Sequence, residues 1–368
     1  MKVRLFHTLP GAQRISSEVY AGELTSALHR VSAGDLELVH CMPREPLRRI
    51  MPRPAGRLAG YGDHYISYPW QARSERADVH HVVEHGYAHL ALSLAAERTV
   101  VTFHDAMLLK LSARELPVSV YPRMSMLANR LNLAGLSRAA RVITVSEDAR
   151  KDLLRFTGCD PARVRVIPEG VSKRFRPIAC HLPGVPGEPA RILHVGHCGF
   201  YKNIEAVLWA LPAIARRLGR PVELVKVGGR FTADQTALIS RLRIGDQVRH
   251  LGMLPEEELP RAYRSADLLL MPSLHEGFGL PVLEAMACGT PVGASDAGSL
   301  PEVVGDAGLL AGPTDIDGLV DAAVRVLTDP VLREDLRRRG IDRARTFTWE
   351  RTAASTLDVY RSVYEEAA

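Results

Sequence analysis

The stretch DLLLMPSLHEGFGLPVLEAMACG, residues 267–289, decides the fold. Asp267 to Met271 is an aliphatic run of strand length, apolar on both sides as a strand inside a parallel sheet must be. Pro281 suits the first position of a helix, where its missing N–H costs nothing, and Gly289 suits a helix end, where a left-handed residue is wanted. A helix therefore starts at the carboxyl end of a strand. Free N–H groups around Phe278, Gly279 and Leu280, with the positive end of the helix dipole, make an anion site, and the glycines let a phosphate approach closely. A diphosphate is the fitting guest. Glu276 in the loop and Glu284 in the helix, eight positions apart, can face one cleft from different depths. A carboxylate beside a phosphate site is repelled unless it serves something else. Glu284 can accept hydrogen bonds from a ribose and Glu276 from a second sugar, or either can cap the helix start, where a carboxylate contributes roughly 0.3–1 kcal/mol.

Working outward, the same rhythm recurs. Short aliphatic runs at Val3–Phe6, Ala77–Val83, Thr99–Phe103, Arg141–Val145, Arg191–Val195, Val222–Val227 and Pro291–Gly293 alternate with stretches of helical apolar spacing. This is the pattern of βαβ units and parallel sheets covered on both faces. It stops at Pro177, Pro183, Gly184, Pro186, Gly187 and Pro189, which places a hinge there. Trp349, Ala353, Leu357 and Tyr360 or Tyr364 share one face of a last helix that packs back on the body.

With 368 residues, 46% hydrophobic and 24% charged, the chain is long enough for two domains and too apolar for disorder. The five cysteines are scattered, with no C-x-x-C pair, as in a reduced cytosolic protein, and no stretch approaches the ~20 apolar residues of a membrane span. A cytoplasmic location is the expectation. Residues 1–180 carry 26 Lys and Arg against 17 Asp and Glu, a surplus of 26 − 17 = 9, while the rest is slightly acidic. The front half is thus suited to an anionic partner. Residues 43–57 gather Arg44, Arg48, Arg49, Arg53 and Arg57 among prolines: either a solvated loop, or one that rests on anionic lipid or guides a lipid-pyrophosphate acceptor. Nucleic acid is not expected, because no stacking ribbon accompanies the charge.

Glu276-x7-Glu284 within HEGFGLPVLEAMACGTPV, followed by SLPEVVGDAGLL at 299–310, resembles the family 4 retaining glycosyltransferases of GT-B fold. Val195-Gly196 to Lys202-Asn203, Val248 to Pro255, and Ala140 to Val171 with VITVSEDARKDL and RVIPEGV continue the resemblance, which is weak between residues 10 and 90. It implies two Rossmann-like, doubly wound parallel-sheet domains facing across a cleft: residues 1–176 for the acceptor, a hinge at 177–190, residues 191–347 for the nucleotide-sugar, and a C-terminal helix at 348–368. It assigns Glu276 to the donor sugar's hydroxyls, Glu284 to the ribose and Lys202 to the leaving diphosphate, a task that suits lysine as a mobile point charge. Family members usually carry an arginine just after the glycine of that loop. Here His197 follows Gly196, which makes the phosphate clamp weaker, pH-dependent or completed by Arg230. The 251–254 loop with Met253 resembles the one whose backbone reads the nucleobase. In the front half, VTFHD at 101–105 resembles the strand whose terminal histidine reaches the reacting sugar, giving His104 a catalytic place with Asp105 on the acceptor side. Without the family, a lone strand-end histidine reads as structural. His85, at another strand end, can face the same cleft, and Gly11 stands where members have a Gly-Gly turn at the acceptor.

The resulting expectation is transfer of a hexose of mannose or glucose type, from a donor such as GDP-mannose or a UDP-hexose, to a hydroxyl acceptor, lipid-linked ones included, in surface polysaccharide or glycolipid synthesis at the inner membrane face. No cofactor and no metal are expected. A GT-B phosphorylase, which needs a pyridoxal lysine, and a silent nucleotide-sugar-binding protein, given the changes at Pro10 and His197, are the alternatives. Two strings compete with this reading. His81-Val82-Val83-Glu84-His85 matches the H-x-x-E-H of zinc peptidases but needs a helix where a strand is read. Asp315-Ile316-Asp317 matches a metal-binding D-x-D, but its place after Pro313-Thr314 suits a helix cap.

Overall fold

The computed structural model describes residues 1–9, 15–50, 56–74, 76–113, 115, 123–178 and 188–368. The chain forms two compact units: Met1–Gly170 with Trp349–Ala368, and Val171–Thr348. The middle of the Pro/Gly-rich hinge segment, residues 179–187, lies outside the described residues, as do Pro10 and Gly11.

The first unit holds six parallel strands, β1 (Lys2–Phe6), β2 (Glu37–Cys41), β3 (Val79–Val82), β4 (Thr99–Phe103), β5 (Arg141–Thr144) and β6 (Val164–Val166), in the order β2-β1-β3-β4-β5-β6. Alternation along the strands sends side chains to two cores. Phe6, Val82, Val101, Phe103 and Val142 pack with Tyr87, Ala88 and Leu136. Val3, Leu5, Val79, Val100 and Ile143 pack on the other face with Tyr20, Leu24 and Leu28 of the helix Ile15–Val31. The C-terminal helix Trp349–Glu366 joins this second core through Trp349, Ala353, Leu357, Tyr360 and Val363. Of the two tyrosines in question, Tyr360 is buried and Tyr364 is 41% exposed. The helix Arg123–Arg138 crosses the 3₁₀ helix His85–Leu92 so closely that a Cβ at Gly135 would stand 1.9 Å from the Ala88 carbonyl oxygen.

The second unit holds β7 (Ala190–Gly196), β8 (Val222–Gly228), β9 (Val248–Gly252), β10 (Leu268–Met271), β11 (Val292–Ser295) and β12 (Leu309–Ala311) in the order β12-β11-β10-β7-β8-β9, again parallel. Ile192, Leu224, Leu268 and Leu270 pack against Val207, Leu211 and Ile214 of the helix Ile204–Leu218 and Val320, Ala323 and Val326 of the helix Ile316–Thr328. β7 and β10 are sheet neighbours although β8 and β9 lie between them in the chain. The strand order reverses at this pair, and in open α/β sheets such a switch point, beyond the carboxyl ends of the strands, is where ligands bind.

Three expectations need correction. Pro291 precedes β11, since it has no N–H for the ladder. Asp267 precedes β10, and its carboxylate accepts from the Arg191 N–H at 2.8 Å. The basic segment 43–57 is not wholly a loop: Pro46–Ile50 is a short helix, because the Asp63 carboxylate accepts from the N–H groups of Leu47 and Arg48 at its start. Arg53 lies outside the described residues. Among the described residues no helix is long and apolar enough to cross a membrane.

Candidate functional site

The two loops at the switch point of the second unit bring Lys202 and Glu276 together. After β7 the chain turns at Gly196 (φ 138°), runs through His197 and Cys198, and makes a 3₁₀ turn, Phe200–Lys202. Asn203, in the left-handed region, donates from Nδ2 to the carbonyls of Pro272 (2.9 Å) and Pro313 (2.7 Å), and the Leu274 N–H donates to the Tyr201 carbonyl at 2.7 Å. The β7 loop is thereby fastened to the β10 loop. The Lys202 chain lies along Gly196, where a Cβ would meet Lys202 Cε at 3.4 Å, and its Nζ donates to Glu276 Oε1 at 2.7 Å. Ser273 Oγ donates to the same oxygen at 2.7 Å. Both charged groups are buried, with side-chain exposures of 11% and 10%.

The β10 loop is held from behind. Ser299 Oγ donates to the carbonyls of Glu276 (3.1 Å) and Phe278 (2.8 Å), and Gly298 sits where a Cβ would be 2.7 Å from the Glu276 carbonyl oxygen. The Phe278 ring is buried edge-on to Phe347. The helix Leu280–Cys288 starts from Gly279 (φ 103°) and ends on Gly289 (φ 80°). The expected Gly289 cap is in place, and Pro281 is the second helical residue instead of the first. Leu280 and Gly279 therefore sit at the free N-terminus of this helix, where the dipole favours an anion. Glu284, on the next turn, accepts from the Tyr263 hydroxyl at 2.6 Å. Burial, and then the Glu284 charge and hydrogen bond, raise the Tyr263 phenol well above its ordinary value, so it stays a donor.

Of the remaining expected donor residues, His197 is half-buried, and its pKa is lowered by burial and then by Lys202 and Lys226, so it is uncharged at neutral pH. Arg230 is exposed just beyond the Gly228-Gly229 turn. Met253 is 57% exposed beside Gly252, whose φ is 68°.

In the first unit the ends of β3 and β4 carry a linked set. His104 donates from Nε2 to the Val83 carbonyl (2.9 Å), and its Nδ1 lies 3.1 Å from Glu169 Oε1. Tyr20 packs edge-on at 4.7 Å. Burial alone would lower the His104 pKa. The hydrogen bond with Glu169, the charges of Glu84 and Glu169 and the Val83 carbonyl outweigh it and raise the value to about 9. His104 is thus an imidazolium with both N–H groups engaged by protein. His85 Nδ1 lies 3.0 Å from Glu84 Oε1 and 3.3 Å from the His104 amide nitrogen. Glu84 also accepts from Ser17 and from the Gly86 N–H. Asp105 Oδ1 accepts from the Met107 N–H at 2.8 Å, a local turn just ahead of the helix Met107–Ser112.

Both competing strings resolve as structure. His81 lies on β3, wholly buried between the Tyr360 hydroxyl (2.6 Å) and Thr102 Oγ1 (2.8 Å), so the helix face that H-x-x-E-H requires is not formed. Asp315 caps the helix Ile316–Thr328, accepting from the Gly318 N–H at 2.8 Å. The residues that sequence reasoning missed are the supports: Ser273, Asn203, Tyr263, Glu169 and Lys226. Only Lys226 left a signal, a cation within the apolar run VELVKVG of β8.

Two doubly wound parallel sheets, with Lys202, Glu276 and Glu284 gathered by the β7/β10 switch, are the architecture of a GT-B glycosyltransferase, and the family matches agree. Residues 183–343 match the family described as Glycosyl transferases group 1, and residues 17–175 match Glycosyltransferase Family 4. The chain is 32% identical over 284 residues to the O-antigen chain mannosyltransferase B of Escherichia coli, covering 72% of this chain and 70% of that protein. The chain belongs to family 4 of the glycosyltransferases. It spans between 55 and 63% of the length of other curated relatives that it matches. Sucrose-phosphate synthase from Thermosynechococcus elongatus superimposes with a TM-score of 0.80 over 99% of both chains at 22% identity. Anabaena HepE in complex with UDP-glucose does so with a TM-score of 0.72 over 98% of this chain and 100% of that one, at 18% identity. At these identities the superpositions establish the GT-B fold.

Proposed function

We propose that the protein transfers a hexose of mannose or glucose type from a nucleotide-diphosphate sugar to a hydroxyl acceptor, with retention of anomeric configuration and without a metal. The observation that carries this reading is the buried Lys202–Glu276 pair at the switch point, beside the free N-terminus of the helix Leu280–Cys288. In the resting protein the glutamate neutralises the lysine. An arriving diphosphate takes over Lys202 and the N–H groups at Gly279 and Leu280, while Ser273 keeps Glu276 in place to accept from the donor sugar's hydroxyls. Glu284, oriented by Tyr263, then receives the ribose. The bond from the anomeric carbon to the diphosphate breaks, the acceptor oxygen bonds to that carbon from the same face, and the departing phosphate oxygen takes the acceptor's proton. Lys202 and the helix N-terminus stabilise the charge left on the diphosphate. His104, with both N–H groups occupied, contributes fixed positive charge and shape.

The work of the Escherichia coli relative on O-antigen chains supports a place in surface polysaccharide or glycolipid synthesis, and HepE's bound UDP-glucose supports a nucleotide-sugar donor. Ile66 and Trp70, 69% and 78% exposed, lie on the helical turns whose Asp63 and Gln71 bond the backbone of the segment carrying Arg44, Arg48 and Arg49, an arrangement that suits peripheral contact with an anionic membrane from the cytoplasmic side.

The test is thermal stabilisation by GDP, UDP and ADP in chelator, followed by donor turnover and anomeric analysis. One nucleotide should stabilise by about 2.7 kcal/mol at a hundredfold excess over Kd, and Glu276→Ala should abolish most turnover while changing nucleotide affinity only a few-fold. Wild-type turnover in that variant, or an absolute requirement for added Mn or Mg, sinks this mechanism.

A further inference from the structure

β8 carries a buried cation that the proposed chemistry leaves unused. Lys226 is paired in register with His194 of β7, both fully buried, and its Nζ donates to the carbonyls of Gly196 (2.6 Å) and Val227 (2.7 Å). Those carbonyls belong to the two glycine turns that end β7 and β8. Gly196 (φ 138°) and Gly228 (φ 105°) approach so closely that a Cβ on Gly228 would stand 2.3 Å from the Gly196 oxygen. The Gly196 carbonyl also accepts from the Gly229 N–H at 3.1 Å. Lys226 therefore ties together the floor of the loop that holds His197, Cys198 and Lys202. The third partner of the ammonium is the Cys198 thiol, which also lies 3.2 Å from the Gly229 carbonyl.

We propose that Lys226 is a positioning residue for the donor's diphosphate, its buried ammonium pinning the two glycine turns beneath the Lys202 loop and adding from below the positive charge that His197 does not supply. This rests on the reading of the β7/β10 crevice as the donor site. A buried ammonium without a carboxylate partner is costly, and here it is held by carbonyl oxygens and a thiol. An anion arriving on the far side of the loop is the missing counter-charge. Burial, the first cause, brings the Lys226 pKa down to about 8, with the Cys198 thiol opposing and Lys202 assisting. The charged and titratable neighbours are His194 on β7, His197, Cys198 and Lys202 in the loop, Glu205 on the helix Ile204–Leu218, and His250 on β9, which bonds the Gly228 carbonyl. His194 and His197 are pushed down and Cys198 is pushed up, away from the amine's range. A diphosphate should therefore bind best with the amine protonated, and lose affinity as pH rises through about 8. A rise of about one unit in this pKa on binding corresponds to about a tenfold fall across the titration.

The experiment is calorimetric titration of the full chain with UDP and GDP, and with uridine and guanosine as controls lacking the diphosphate, from about pH 7 to about pH 9.5. It is run on wild type, Lys226→Met and Lys226→Gln. Relative to its nucleoside, which shares the ionisation of the base, the bound nucleotide should lose roughly tenfold in affinity for wild type across that range. Both variants should start about as weak as wild type ends, and stay flat. Folded variants with wild-type affinity and pH profile overturn the proposal. If neither variant folds, the wild-type comparison decides, because parallel profiles for nucleotide and nucleoside overturn it equally. If no nucleotide binds wild type at any pH, the donor-site reading itself falls, and this inference with it.

Discussion

Glu169→Gln isolates one ion pair whose consequence can be worked out in advance. His104 has a pKa of about 9 in the folded protein against 6.5 for an unperturbed histidine. A displacement of 9 − 6.5 = 2.5 units, at about 1.36 kcal/mol each, makes its protonation worth about 3 kcal/mol to folding. Between the two values the folded state holds the proton and the unfolded chain does not. The contribution is therefore complete below pH 6.5 and is lost as pH rises through about 9. Lys226 acts in the opposite sense over an overlapping range. Its folded pKa of about 8 lies below 10.5, so its burial penalty is relieved as pH rises from about 8. The wild-type profile mixes both slopes, and the quantity to measure is the difference between wild type and variant. Glutamine keeps a hydrogen bond to His104 and leaves the Glu84 charge, so only part of the 3 kcal/mol should go. Urea denaturation at about pH 6 should find the variant roughly 1–3 kcal/mol less stable, with the gap closing by about pH 9. The Cε1–H resonance of His104 should titrate at lower pH in the variant. A gap that is absent, or constant across this range, refutes the account of His104 as a buried imidazolium held by Glu169.

Two further changes test the supports. Gly135→Ala pushes a methyl group into a backbone carbonyl that cannot step aside, so a loss of roughly 3 kcal/mol is expected, at the upper end for overpacking; an unchanged melting temperature would show that the helix Arg123–Arg138 does not cross the 3₁₀ helix there. Tyr263→Phe removes the hydroxyl that orients Glu284 and should weaken binding of the preferred nucleotide by about tenfold while leaving inhibition by inorganic diphosphate as it was. Equal losses for both ligands would detach Tyr263 from the ribose.

The interior strands were legible and the edges were not. β1, β3, β4 and β5, and β7, β8, β10 and β11, are covered on both faces and so read as mainly apolar runs, interrupted by Arg4 in β1, His80 and His81 in β3, and Glu223 and Lys226 in β8. The strands with no such run are β2, β6, β9 and β12, which are the four sheet edges. β2 and β9 consist mostly of exposed and half-buried residues, and β6 and β12 are three residues long. β6 and β9 came within reach only through the family resemblance of their segments. The short helix Pro46–Ile50 was missed because its cap, Asp63, lies beyond the segment it serves.

At the site, sequence reading found Lys202, Glu276, Glu284 and His104 but not their pairings. Lys202 and Glu276 are separated by 74 positions, and what brings them to 2.7 Å is the strand order that sets β7 beside β10. His104 and Glu169 are 65 positions apart and meet because the carboxyl ends of the parallel strands β4 and β6, with β5 between them, lie on the same side of the first sheet. A motif names residues within one loop, whereas the electrostatics of a doubly wound sheet is set between loops. This is why the motif names His104 alone, while the structure gives both its ring nitrogens partners from other segments, Glu169 and the Val83 carbonyl. The missing arginine shows the same effect. Judged from its own loop, His197 looks like a loss of positive charge, yet the neighbouring strand contributes Lys226 to the same turn. A change in one loop of such a fold is best weighed against the charges that adjacent strands deliver to it.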